Sequence, residues 1–197
     1  MSTNQYALTT REAVKQFRLA NGEVLKTTTE INALLDTIID AVSSKFESYC
    51  DRKFKSQDHE EYFDGKNSNV IYPKNYPVTT VTSIYDDSEW SWGSSTLVSS
   101  TEYRISNDSN SIVFKNTSGT LGDYVQNVKL NYTGGYATIP YDLEYVCIIE
   151  VLRAFDNIKT IGVFSKSEID TSIALVTEAF LNDTLITLNL YRGKSAY

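Results

Sequence analysis

The sequence predicts an α+β protein: an α-helical bundle with long helices over about 29–50 and 140–160, carrying an inserted antiparallel β-sheet or small barrel over about 58–135. Two observations lead to it. The hydrophobic period changes from helical to alternating near residue 57 and back to helical near residue 139. Inside that window, short β-rich stretches alternate with turn residues. Residues 1–56 and 139–197 are therefore expected to make a helical core with a C-terminal segment, and residues 57–138 an inserted β subdomain. A chain of 197 residues has the length of one domain with an insertion. It should bury about 70% of its extended-chain surface.

Thr9 and Glu12 have the spacing of a capping box, followed by Val14, Phe17 and Ala20 on one face, and Asn21-Gly22 ends this short helix. Thr27 and Glu30 repeat the signature before a longer run. There Ile31, Leu34, Leu35, Ile38, Ile39, Val42, Phe46 and Tyr49 recur at steps of three and four, opposite Asp36, Asp40, Ser44, Lys45 and Glu47. Such a helix is about 33 Å long and cannot bury its stripe alone.

Six strands are expected: Glu60–Phe63, Val70–Tyr72, Val78–Tyr85, Tyr103–Ile105, Ile112–Phe114 and Val125–Tyr132. Asp64-Gly65, Asn107 to Asn110 and Ser118-Gly119 supply turn chemistry between them. In the last strand Val128, Leu130 and Tyr132 alternate with Lys129, Asn131 and Thr133, so one face is buried and the other wet. Pro140 suits the first turn of the next helix, whose stripe is Leu143, Val146, Cys147, Val151, Ala154, Phe155 and Ile158, with Glu150 inside it. Ile148, Ile149 and Leu152 widen this stripe, so the helix is either central in the core or covered by another chain. A loop around Gly162, an apolar stretch from Ile173 to Phe180 and a short helix from Asn182 to Tyr191 complete the chain.

The net charge is −7, and residues 57–138 hold ten Asp and Glu against five Lys and Arg, while the flanks hold 15 against 13. Affinity for a phosphate backbone through charge neutralisation is not expected from such a chain. No apolar run approaches the roughly 20 residues that span a bilayer, so no membrane association is expected. The first eight residues have no signal-peptide pattern, so the protein is expected in the cytoplasm when made. Cys50 and Cys147 sit among apolar helical residues and are expected to be buried thiols.

Catalytic, cofactor and metal sites are all expected to be absent. His59 is the only histidine, which removes His-based triads and His-rich zinc sites, and its charged, strand-like setting places it on the surface. Glu60 and Glu61 fall on opposite faces of a strand and so do not make an acid–base pair. Asp86, Asp87 and Glu89 mark a turn and lack EF-hand spacing, and Thr133-Gly134-Gly135-Tyr136 is too short for a phosphate loop. Aromatic residues gather in the middle of the chain, and the serine-rich stretch Ser88 to Ser100, with Trp90 and Trp92, is a candidate contact loop.

Four stretches in order resemble the head-tail connector or head-completion adaptor proteins of tailed bacteriophages. "INALLDTIIDAVSSKFESYCDRKF" is similar to the family's long helix and its closing signature, here Glu47, Tyr49, Arg52 and Phe54. "EEYFDG" follows; "YPVTTVTSIYDD" resembles the sheet of longer members, and "VKLNYTGGYATIPYDLEYVCIIEVLRAF" their strand, double glycine, Ile-Pro and final core helix. The resemblance implies a non-enzymatic ring, dodecameric in the family, beneath the portal protein. Such a ring extends the channel through which DNA passes without specific binding, helps retain packaged DNA and docks the next neck or tail protein. The implied location is the virion neck, with assembly in the host cytoplasm. It also implies that Leu185, Leu188, Tyr191 and Arg192 form an inter-subunit or portal interface, with capping of the chain's own helices as the equal alternative. Arg52 and Phe54 are expected to anchor the helix-to-sheet junction. The competing reading is a glycan- or receptor-binding β module centred on Trp90, Trp92 and nearby tyrosines; an enzyme built on the carboxylates comes third.

Overall fold

The computed structural model describes residues 7–25, 28–115, 121–160 and 180–193. In chain order these form α1 (Arg11–Ala20), α2 (Thr29–Cys50), β1 (Gln57–Phe63), β2 (Val70–Ile71), β3 (Val78–Asp86), a 3-10 turn (Ser94–Thr96), β4 (Tyr103–Ile105), β5 (Ile112–Phe114), β6 (Val128–Gly134), α3 (Tyr141–Thr160) and α4 (Asn182–Tyr191). They fall into two compact units. One is drawn from Met1–Cys50 and Ile139–Arg192, the other from Asp51–Thr138 and Gly193–Tyr197. The architecture is mixed α+β, with four helices and two small antiparallel sheets among the described residues.

In the helical unit, α3 packs against α1, α2 and α4. Its wide apolar face is thereby covered by the chain's own helices: Leu143, Val146, Cys147, Ile148, Val151, Leu152 and Phe155 are all buried. This settles the choice left open by the sequence in favour of a central core helix. The facing stripe of α2 is Leu35, Ile38, Ile39, Val42, Phe46 and Cys50, in the phase expected from its sequence, except that Glu47, expected on the opposite side, is buried beside Phe46 in the chain. Both cysteines are buried thiols outside any disulfide among the described residues, and burial pushes the Cys147 thiol up to about 12. Glu150, buried inside the α3 stripe, accepts from Arg153 Nε at 2.7 Å and from the Leu181 amide at 2.8 Å. A buried carboxylate needs such partners, and here they tie α3 to the start of α4.

The helix starts differ from expectation by one residue. Thr10, rather than Thr9, caps α1 by accepting from the Ala13 amide. Thr9 is buried and its hydroxyl donates to Glu144 Oε1 on α3 at 3.2 Å, a tertiary bond that local spacing does not reveal. For α2 the Thr28 hydroxyl accepts from the Ile31 amide; Thr27 lies outside the described residues, as do Ser118-Gly119, the Gly162 loop and residues 173–179.

In the β unit the sheets have orders β1-β6-β3 and β2-β5-β4, every pairing antiparallel. The barrel alternative is therefore corrected to two separate sheets. Seven-residue β6 pairs on both sides, with β1 and with β3, while the two- and three-residue strands β2, β4 and β5 pair only among themselves. Among the described residues no ladder joins the sheets into a closed ring. Ile71, Ile84, Ile112, Phe114, Leu121, Val128, Leu130 and Tyr132 form the core of this unit. Burial alternates strictly along β6, as its sequence requires. The strand begins at Val128 and not Val125, because Gln126 has φ 49° and the Asn127 side chain is engaged in a loop.

At Gly134, where β6 ends, a Cβ would lie 1.9 Å from the Asn75 carbonyl oxygen and 2.6 Å from the Tyr132 ring. Neither neighbour can withdraw, one being backbone and the other core. Gly134→Ala is expected to destabilise the protein by about 1–3 kcal/mol, measured as a lower urea midpoint, whereas Gly22→Ala, with no atom within 4 Å of its Cβ position, is limited to the cost of its positive φ.

Candidate functional site

The junction between α2 and β1 is built around Arg52. Its guanidinium lies 3.6 Å from the centroid of the Tyr76 ring, 5.2 Å from that of Phe54 and 5.6 Å from that of Tyr136, and it donates to the Tyr76 carbonyl. Stacking on three aromatic faces compensates a guanidinium for lost water; Arg52 and Phe54 are both buried. Backbone bonds close the junction, with the Tyr136 amide donating to the Phe54 carbonyl and the Ser56 amide to the Tyr136 carbonyl.

Beside it lies a polar knot. The Tyr132 hydroxyl donates to Glu61 Oε1 at 2.6 Å, Asn75 Nδ2 donates to the same oxygen at 2.8 Å, and the Lys53 amide donates to Asn75 Oδ1 at 2.6 Å. Burial and the Glu61 carboxylate raise the Tyr132 phenol above its ordinary range, so it stays protonated as a donor. Glu60 points the other way, accepting from Lys129 at 2.7 Å and from the Tyr62 hydroxyl. The two carboxylates serve different networks and do not converge on one substrate atom.

His59 departs from the expected surface position. It is half-buried against the Tyr132 ring, centroids 5.2 Å apart, and its Nε2 is buried without a hydrogen-bond partner. Burial lowers its pKa, opposed by nearby Glu61. A charged strand conceals this because the face that points inward is set by pairing with β6, opposite Tyr132.

The Trp90–Trp92 loop is held by Asp87. Its carboxylate accepts from the amides of Glu89, Ser91 and Trp92 at 2.9, 3.0 and 2.8 Å and from the Ser91 hydroxyl at 2.7 Å. Trp90 and Trp92 have φ of 55° and 52°, left-handed conformations that non-glycine residues adopt only when surroundings impose them. Trp92 packs on Tyr62 with centroids 5.6 Å apart, while Trp90 stays exposed with Nε1 donating to the Val125 carbonyl at 3.3 Å. The segment is thus a tethered loop and not the loose one its serine content suggests.

In α4 the residues singled out by resemblance turn largely toward their own unit. Leu188 is fully buried, its carbonyl accepting from Cys50 Sγ, and so it is not available to another chain. Leu185 is half-buried, Tyr191 donates to Asp142 Oδ1 at 2.6 Å, and exposed Arg192 lies 5.8 Å from the Tyr49 ring centroid. The outward apolar residues are Ile186 and Leu190, one turn apart. Sequence reasoning missed them because the apolar residues of α4 are spread around the helix between Thr184, Thr187 and Asn189 and carry no phase.

Among the described residues no group of three or more His, Cys, Asp or Glu is placed to hold a metal ion, and no described helix is long and apolar enough to cross a membrane. Two titrations follow from the geometry. The folded pKa of His59 lies below the unfolded value of about 6.5, so the unfolded chain binds the proton first; its contribution to stability is complete above about pH 6.5 and lost as pH falls further. His59→Gln is expected to flatten the change in denaturant midpoint between about pH 7.5 and pH 5.5. The Asp87 carboxyl, led by its bond from Ser91, is likewise held below the ordinary aspartate range. Its tether is intact above about pH 4 and lost as acid protonates it, and Asp87→Ala should speed amide exchange over residues 88–97 at neutral pH while leaving β6 protected.

No family model matches the chain, and no curated protein is significantly similar to it. Solved structures do match. A chain of the neck of an empty gene transfer agent (GTA) particle, computed with C6 symmetry, aligns with TM-score 0.59 at 15% identity, covering 93% of this chain and 90% of that one. A chain of the native GTA particle's neck, computed with C12 symmetry, gives 0.54 at 14% identity over 85% and 86%, and one from the native GTA virion 0.55 at 15% over 93% and 90%. An alignment that spans both the helices and the inserted sheets, at identities this low, is one of fold: the chain is built on the fold of subunits from the necks of phage-like particles.

Proposed function

We propose that this protein is a structural head-tail connector of a tailed phage or phage-like particle. Copies form a ring beneath the portal protein, extend the DNA channel, help retain packaged DNA and present a docking face to the next neck or tail protein. The observation that carries this reading is the full-length likeness to neck subunits, in particles whose necks were computed with C12 and C6 symmetry. Twelve copies in a ring, residence in the virion and assembly in the host cytoplasm follow from the same reading.

The chemistry of the chain supports a channel-lining role without catalysis. Glu61, Asp86 and Asp87 spend their oxygens on internal donors, respectively Tyr132 and Asn75, Gly122 and Asn127, and the Trp loop amides. A chain of net charge −7 repels a polyanion, so DNA moves past it without adhering.

Purified protein mixed with DNA-filled, portal-bearing capsids is expected to add a ring of density at the portal vertex in electron micrographs. It should also slow DNA leakage from those capsids. A vertex left bare at saturating protein overturns the connector reading.

A further inference from the structure

A ring made from one chain uses two unlike surfaces on each copy, one meeting the other on the next copy. The structure offers two unlike exposed apolar patches. The first is a platform in the β unit, where Trp90, Tyr124 and Val125 are 59%, 60% and 68% exposed. Its loops are tethered by hydrogen bonds. Asp87 holds the Trp90 loop, and fully buried Asn127 accepts from the Gly65 amide while donating to Asp86 and to the Gly122 carbonyl, so three loops share one pin. Trp90 is locked to Val125 through its indole N–H. A patch of this kind loses little conformational freedom on binding, which is where interface affinity is otherwise spent.

The second patch is the outer face of α4, where Ile186 and Leu190 are 56% and 75% exposed one helical turn apart. This face starts at exposed Asp183, and it is its other, C-terminal end that carries a charge opposite to that of the platform. Arg192, exposed at the C-terminal end of α4, has no carboxylate within 4.0 Å among the described residues. Next to Trp90 and Tyr124 in the chain stand Glu89 and Asp123, both exposed and neither in an ion pair among the described residues. Other acids of that region are already matched, Glu60 by Lys129 and Asp64 by Lys66. An apolar helix face ending in a cation thus fits an aromatic platform edged by two anions, and an arginine can also stack on Trp or Tyr.

We propose that in the ring inferred above, on which this depends, α4 of one copy seats Ile186, Leu190 and Arg192 on the Trp90–Tyr124–Val125 platform of the next. The occupant of the platform is therefore a second copy of this chain, bound head to tail.

The test uses full-length protein docked on portal-bearing capsids. Val125→Cys and Leu190→Cys in one chain are expected to give a ladder of disulfide-linked oligomers under mild oxidation, and each single variant only monomer; the native thiols stay buried. Arg192→Glu should lower ring occupancy at least tenfold, and Asp123→Arg in the same chain should restore it, with unchanged thermal melting showing that each variant folds. Intact rings from Arg192→Glu and Leu190→Asp, with no ladder, overturn the seam while the connector reading stands. Dimers from Leu190→Cys alone overturn it in favour of a two-fold contact. Loss of capsid docking by Leu190→Asp, with no ladder from the double-cysteine chain, overturns it in favour of a different protein on α4, and a shift of Trp90 fluorescence by soluble glycans, with rings unaffected by Trp90→Ala, overturns it in favour of a sugar. Wild-type protein that forms no ring at all removes the connector reading itself.

Discussion

The clamp at the ends of the insertion is the constraint on which the β unit depends. A chain that leaves a helical segment at Cys50 and resumes one at Tyr141 must bring its outgoing and returning strands side by side. It does so by pairing β1 with β6, Gln57 opposite Gly134, and by carrying the pairing outward through the bonds between Phe54, Ser56 and Tyr136. Arg52 seals that end. Its guanidinium is buried among Tyr76, Phe54 and Tyr136, so the cation is desolvated only where ring faces replace water. Gly134 and Gly135 are there because the strands approach too closely for a side chain; Gly135 also has φ +103°.

The remaining polar chemistry of the β unit serves the same end. Glu61, Tyr132 and Asn75 fasten the segment before β3 to the central strand, while Asp86, Asp87 and Asn127 fasten the loops at the other end of β3. The carboxylates of Glu61, Asp86 and Asp87 are satisfied by internal donors, whereas His59 Nε2 is buried without a partner. The exposed apolar surface includes the Trp90 platform and the outer face of α4. Exposed apolar patches commonly mark docking surfaces, and the fold is one found in the necks of phage-like particles.

Much of this was legible along the chain. The boundaries of β4 and β5, the alternation of β6 and the stripe of α2 were read correctly because each is set by a local period of two or of 3.6 residues. So were the opposite sides taken by Glu60 and Glu61 and the burial of both cysteines. Other features are not legible locally, among them the cap of α1 on Thr10 in place of Thr9, the half-buried position of His59 and the division of the strands into two sheets with no barrel. In each case the deciding partner, Glu144, Tyr132 or a particular neighbouring strand, is distant in sequence.

Periodicity, turn residues and charge sufficed to determine which segments are helices and strands and that an acidic sheet interrupts a helical chain, since those signals arise among residues a few positions apart. Tertiary structure alone decided that α3 is enclosed by its own helices, that α4 turns Leu188 inward and Ile186 and Leu190 outward, and that Trp90 stands on a tethered loop. The physical reason is that a face is buried only relative to what packs on it, and for these elements the packing partner lies far along the chain.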